Sequence, residues 1–250
     1  MKDSTTRDKY LRPATLLILL GVWHVASALV NSEILLPSPA ATLKRLGELV
    51  VTETFWLAVM STLRRGLTGF ALSLLVGLFC GLLAGFNQIA KVLMQPFVLL
   101  SRSTPLMSII LLALIWFRSD QVPVFVAFLV CFPVIFGNVF AGVKNVDNSL
   151  LEMARVHRVG WWATITGVYL PSIAPYILAG ASTAMGLGLK VVVAAEALSQ
   201  PKLAIGTRMQ VERMYLETAG LFAWTITALF LSWLLEYGIR WVEKRVRGSG

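Results

Sequence analysis

LEMARVHRVGWWATITGVYLP, residues 151–171, is a polar, basic island in an otherwise apolar chain. Residues 122–143 before it and 172–189 after it carry no formal charge. Runs of about 20 such residues can cross a ~30 Å hydrocarbon core as helices. The contrast sets the fold class: an all-α integral membrane protein, with the island joining two spans where a soluble partner can dock.

The rest of the chain agrees. Of 250 residues, 57% are hydrophobic and 14% charged, with a mean hydropathy of +0.75. Soluble domains carry about a quarter charged residues, and repeated bilayer crossings produce the deficit. A net charge of +9 would raise nucleic acid as a partner in a soluble protein. Here Lys and Arg gather at span ends, as the positive-inside rule describes, and a nucleic-acid patch needs a clustered basic face. Membrane lipid, not nucleic acid, is the expected surround. Cys80 and Cys131 lie in apolar runs and read as buried free thiols.

About six transmembrane helices are predicted in one domain, residues 13–241, between tails at 1–12 and 242–250. Span one is 13–30. Its basic start and Ala26-Ser27-Ala28 also describe a signal peptide, but the apolar run exceeds a typical signal core, favouring a retained helix. Ser38 is placed to cap a short non-spanning helix ending near Val51. Span two is 66–86, with a helical lead-in from Trp56. Gly77, Gly81 and Gly85 repeat on one face, the spacing that lets membrane helices approach closely. Span three, 92–117, is interrupted by Pro96 and Pro105 and should be kinked or broken. Span four is 122–143. Span five is 172–198, with Pro171 as its helix start. Span six is 218–241. The terminal Gly248-Ser249-Gly250 is set aside as native or appended. With both termini on one side, that side holds more Lys and Arg, including Lys144, Arg155 and Arg158 of the connecting region 144–171. The termini and the island are therefore expected to be cytoplasmic.

Within the island, Leu150, Leu151, Ala154, Val156 and Val159 offer apolar positions to a partner groove, with Glu152, Arg155 and Arg158 at its rim. Trp161 and Trp162 suit the membrane interface. Ionisable groups inside spans default to functional candidates because burying them unpaired in lipid is expensive. Lys190 and Glu196 in span five are six residues apart and share no helix face. Arg102 either satisfies carbonyls freed by the kink or lines a path. His24 and His157 form no metal or catalytic pair. No phosphate-binding G-x-x-x-x-G-K-[ST] loop occurs, so any ATP hydrolysis belongs to another polypeptide.

Glu152-Met153-Ala154 with Leu170-Pro171 resembles the EAA loop of type I, binding-protein-dependent ABC importer permeases. Leu36-Pro37-Ser38-Pro39, Ser101-Arg102-Ser103-Thr104-Pro105, Ile115-Trp116-Phe117, Ala141-Gly142-Val143-Lys144-Asn145-Val146-Asp147, Val193-Ala194-Ala195-Glu196 and Ala204-Ile205-Gly206 resemble the nitrate/sulfonate/taurine-type branch. The likeness runs in order along nearly the whole chain. The chain departs from the family pattern at Met153, where Ala is usual, and at Arg158, where Gly is usual. Gly160 follows two positions later, so the turn of the loop is expected to differ.

The resemblance implies a coupling loop of Leu151, Glu152, Met153, Ala154, Arg155, Val156, His157, Arg158, Gly160, Leu170 and Pro171. It would seat in one of two ABC ATPase subunits that bind ATP and Mg, this chain holding no cofactor, no metal and no catalytic residue. A second permease copy and a soluble or lipid-anchored substrate-binding protein would complete an inner-membrane importer working by alternating access. The resemblance puts span five along the translocation path, making Lys190, Glu196 and Arg102 path candidates. It implies small oxyanions such as nitrate, sulfonates or taurine as cargo, or a vitamin precursor such as a thiamine pyrimidine. A polytopic enzyme would need convergent acids, histidines or a nucleophile, which do not stand out. A channel or secondary transporter would usually show repeat symmetry and leaves the island unexplained.

Overall fold

A computed structural model describes residues 4–248, and every regular element among them is a helix. The elements are α1 (Ser4–Val30), α2 (Pro39–Val50), α3 (Glu53–Phe86), α4 (Gln88–Ser103), α5 (Leu106–Trp116), α6 (Val122–Lys144), α7 (Asn148–Val156), α8 (Trp161–Thr164), a π-helical turn (Ile165–Tyr169), α9 (Leu170–Ser199), α10 (Ile205–Met214) and α11 (Thr218–Gly248). Among the described residues four helices are long and apolar enough to span: Glu53–Phe86, Val122–Lys144, Trp161–Ser199 and Thr218–Trp241. The α4–α5 pair makes a fifth if taken as one bent span, and Leu17–Val30 is a shorter apolar helix. These six apolar segments keep the predicted order. Both predicted tails run largely within α1 and α11, and residues 1–3 and 249–250 lie outside the described residues.

Small residues build the centre. Gly69, Ser73, Gly77, Gly81 and Gly85 of α3 are buried at four-residue steps, one face of a helix. A Cβ on Gly77, Gly81 or Gly85 would lie within 3.0 Å of Ile135, Val139 or Val143 respectively. The constant offset of 58 residues (77 to 135, 81 to 139, 85 to 143) sets α3 and α6 parallel and in register. Ser73 bonds across the same seam, its hydroxyl 3.1 Å from the Phe128 carbonyl. Cys131 is buried and its thiol donates to the Ala184 carbonyl of α9. Cys80 is only half-buried.

Two helix starts, those of spans two and five, differ from the sequence reading, and the expected break of span three falls at one of its two prolines. The helix of span two begins at Glu53, three residues before the lead-in expected from Trp56, and its 34 residues include Arg64 and Arg65. Arg65 is tolerated there because carboxylates neutralise it (below). Of the two prolines in span three, Pro96 sits inside α4, whereas Pro105 ends the run and α5 leaves at 105°. The residue before a proline is pushed to extended backbone, and Thr104 is extended, with ψ 127°.

Span five begins at Trp161, not after Pro171, because the helix continues through the proline. A proline ring clashes with the carbonyl four residues back. The turn Ile165–Tyr169 widens to π geometry, Leu170 N–H bonding Ile165 O, and absorbs the misfit. Ser38 caps α2 as expected, accepting from Ala41 N at 3.1 Å.

Candidate functional site

The polar island folds into a short helix, a turn and a helix restart at one end of the bundle. Asp147 accepts from Ser149 N at 2.8 Å and starts α7. Leu151 and Ala154 face inward, Leu151 beside Val143, Val146 and Ile173, and Ala154 buried at 6% exposure. The opposite face shows Leu150, Met153 and Val156, 38%, 54% and 79% exposed, at three-residue steps. Glu152, Arg155, His157, Arg158 and Gly160 are exposed around it. Of the apolar positions expected to meet a partner, Leu151 and Ala154 instead hold α7 to the bundle. Met153, the departure from the family pattern, joins the outward face. Trp161 and Trp162 are both exposed where the next helix begins, and Leu170 is exposed immediately after the π turn.

The turn does not move to Gly160. Arg158 N–H bonds Arg155 O at 3.0 Å, and Val159 N–H bonds Ala154 O at 2.9 Å, the paired closure of a Schellman motif. Arg158 takes the left-handed position with φ 50°, where a side chain is strained. Gly160 has φ −62° and open space around its Cα. The loop keeps its glycine geometry without the glycine. Arg158→Gly is therefore expected to stabilise the end of α7 by about 0.5–1 kcal/mol. Slower hydrogen exchange of the Val159 amide would register it.

The second constellation joins four segments at the far end of the bundle. Glu196 of α9 is fully buried and Arg65 of α3 is 5% exposed. Arg65 Nη1 donates to Glu196 Oε1 and to the Leu203 carbonyl, each at 2.9 Å. Its Nη2 bonds Asp120 in the turn between α5 and α6. Thr62 donates to Glu196 Oε2 at 2.9 Å and accepts from Ile205 N at 3.0 Å. Gly206 N–H, in the first turn of α10, points at the same carboxylate at 3.2 Å, a favourable end of a helix for negative charge. Glu196 is thus held in a buried clasp. The sequence showed Glu196 and Ala204-Ile205-Gly206 as separate motifs. Their meeting, and the roles of Thr62, Arg65 and Asp120, carried no local signal.

Lys190 and Glu196 do not meet. Lys190 is exposed and borders a cleft of about 250 Å³ between α9 and α11, with Ser182, Thr183, Gly186, Glu236 and Arg240. Glu236 accepts from Arg240 at 3.2 Å, and its carboxylate lies against Gly186 where a Cβ would sit. Glu236, within span six, carries no motif in the sequence that singles it out. Arg102 is not in this cleft. Its Nη2 donates to the Pro133 carbonyl at 2.8 Å, in room left by Gly137. It thus holds the backbone of a neighbouring helix.

Comparison with known proteins gives this geometry a family. Residues 73–248 match the model of the binding-protein-dependent transport system inner membrane component. The putative aliphatic sulfonates transport permease protein SsuC of Bacillus subtilis is 28% identical over 92% of this chain and 83% of its own length. The taurine transport system permease protein TauC of Escherichia coli is 26% identical over 96% and 90%. The bicarbonate transport system permease protein CmpB of Synechococcus elongatus is 29% identical over 61% and 55%. Among solved structures, an amino acid ABC transporter superposes with a TM-score of 0.63 at 17% identity, covering 80% of this chain and 95% of that one. The MetNI methionine ABC transporter, in an inward-facing form, gives 0.56 at 19%, covering 78% and 94%. These two speak for the fold. A family match over most of the chain, with α7 where the EAA loop was read, makes this chain a member of the binding-protein-dependent ABC importer permeases, multi-pass components of the inner membrane.

Proposed function

We propose that the chain is the permease subunit of an ATP-driven importer for a small oxyanion, coupled through α7 to a separate ATPase. The observation that carries this is the outward face of α7. Leu150, Met153 and Val156 stay exposed while Leu151 and Ala154 lock the helix to the bundle. A short helix with an apolar face suits a groove on a soluble partner. In this reading α7 and both termini are cytoplasmic, two permease copies meet two ATPase subunits, and ATP and Mg bind only to the ATPases. A substrate-binding protein delivers cargo to the other side.

The cargo class rests on two supports. Relatives named for sulfonates, taurine and bicarbonate share a small oxyanionic group. The α9–α11 cleft presents Lys190 and Arg240 against one carboxylate, Glu236, with Ser182 and Thr183 beside them. An exposed lysine at membrane depth cannot face lipid cheaply, and a water-filled path serves it. Glu196 and Arg102, occupied elsewhere, are given positioning roles rather than contact with cargo.

The test is co-purification of the detergent-solubilised chain with an ATPase, comparing wild type with Met153→Glu. Met153 is exposed, so the variant should fold, whereas a charge at buried Ala154 would confound docking with misfolding. Expected is an ATPase bound to wild type and reduced at least tenfold in the variant. A folded wild type that brings down no ATPase overturns the reading in favour of a channel or secondary transporter. In vesicles holding the assembled complex, Lys190→Met should cut taurine or ethanesulfonate uptake about tenfold or more, the worth of a charge-assisted bond. It should leave ATPase capture unchanged. Unchanged uptake would make Lys190 structural.

A further inference from the structure

A groove of about 610 Å³ runs down the seam between α3 and α6, in the half of the bundle away from α7. Its origin is the bend at Pro105. Met94 and Val98 of α4 cover the α7-side half of the seam, against Ala84, Phe132 and Phe136. The chain then turns by 105°, and Ile109, Ile110 and Ala113 of α5 pack instead against α6 and α9. The other half of the seam is left uncovered, with Leu72 and Val76 45% and 38% exposed.

The groove is polar at one end and apolar below. Arg64, Thr68, Asp120 and Gln121 stand at its mouth, and Leu72, Val76, Phe125 and Phe128 line its length. From Arg64 to Val76 is twelve residues of helix, about 18 Å, close to the depth of one leaflet of a ~30 Å core. The stretch of α3 free of formal charge begins at Gly66, two residues after Arg64, which suits Arg64 to the headgroup region.

We infer that this groove binds one zwitterionic aminophospholipid, its phosphate on Arg64, its ammonium on Asp120 and one acyl chain along Leu72 and Val76. The charges at the mouth favour a zwitterion over an anionic lipid. Arg64 and Arg65 are matched by Asp120 and Glu196. Among the described residues Arg64 has no ion pair, and Asp120 is 67% exposed with one oxygen taken by Arg65. Arg65 Nε is buried at this wall without a hydrogen-bond partner. A helix from a second copy fits less well. It would need the seam open along its whole length, and α4 closes the other half. One acyl chain needs one leaflet only.

The chain is purified in mild detergent from membranes containing phosphatidylethanolamine and phosphatidylglycerol, and retained lipid is quantified by native mass spectrometry. A diazirine-tagged phosphatidylethanolamine is cross-linked in parallel and its peptide mapped. Expected is about one phosphatidylethanolamine per chain, cross-linked within 64–76 or 121–128. Leu72→Trp, which fills the groove from an exposed position, should cut retention at least fivefold, and Arg64→Ala severalfold. Equal retention of phosphatidylglycerol would overturn the headgroup assignment. Cross-links elsewhere, or retention untouched by both variants, would overturn the site. Lost self-association with unchanged lipid would give the groove to a second copy. None of these outcomes depends on ATPase capture.

Discussion

Arg65→Met should lower the stability of the folded chain by about 3–5 kcal/mol, the usual result of removing one partner from a buried ion pair. The variant leaves Glu196 with no exposed surface and only Thr62 and Gly206 as partners. It also releases Asp120 and the Leu203 carbonyl, so the turns before α6 and α10 lose their shared anchor. Thermal unfolding in detergent should show a fall in Tm on the order of 10 °C. The decisive comparison is Arg65→Met with Glu196→Met, which removes both charges. If an uncompensated buried carboxylate is the cause, the double variant recovers much of the loss, because apolar replacements of buried ion pairs are often near neutral. A double variant as unstable as the sum of the singles would mean that Arg65 acts mainly through Asp120 and Leu203.

Gly81→Leu is the other large effect expected, about 3 kcal/mol or more of overpacking. At Gly81 a Cβ alone would sit 2.8 Å from Val139 Cβ and 3.1 Å from the Phe136 carbonyl. The clash involves backbone and a β-branched side chain, neither of which can swing away. Relief requires α3 and α6 to separate, which breaks the run from Gly69 to Gly85 together. Gly238→Ala on α11 is the control, since nothing lies within 4 Å of a Cβ there, and alanine favours a helix over glycine. Loss of the folded, monodisperse fraction for Gly81→Leu, but not for Gly238→Ala, checks the prediction. A stable Gly81→Leu protein would refute close packing at this seam.

What could be read from the residues in advance follows the range of the interactions. The spans came from runs of apolar residues, the close-packing face of α3 from a glycine every four positions, and the sharp bend from Pro105. All are local patterns. Pro171 misled because a proline marks a helix start only when the preceding backbone stays regular, and a π turn let this helix run on. The island was legible as a polar connection between two spans, but not which of its faces points out. Leu150 and Leu151 are adjacent and apolar, and only the packing of Val143, Val146 and Ile173 distinguishes them. The Arg65–Glu196 clasp joins residues 131 positions apart. Nothing near Arg65 in the chain separates it from Arg64, which is exposed. The charge balance of the α9–α11 cleft was invisible for the same reason.

The glycine seam also has a mechanical meaning. Two parallel helices touching at backbone distance, with no long side chains between them to shear or repack, behave as a single beam. One end carries α7 on the connection that follows α6; the other holds the Arg65 clasp. A beam about 30 Å long turned by 10° at one end moves the other by about 5 Å, roughly one helical turn. Under the proposed coupling, small rotations imposed at α7 would therefore be delivered across the membrane as displacements, with little lost to bending on the way.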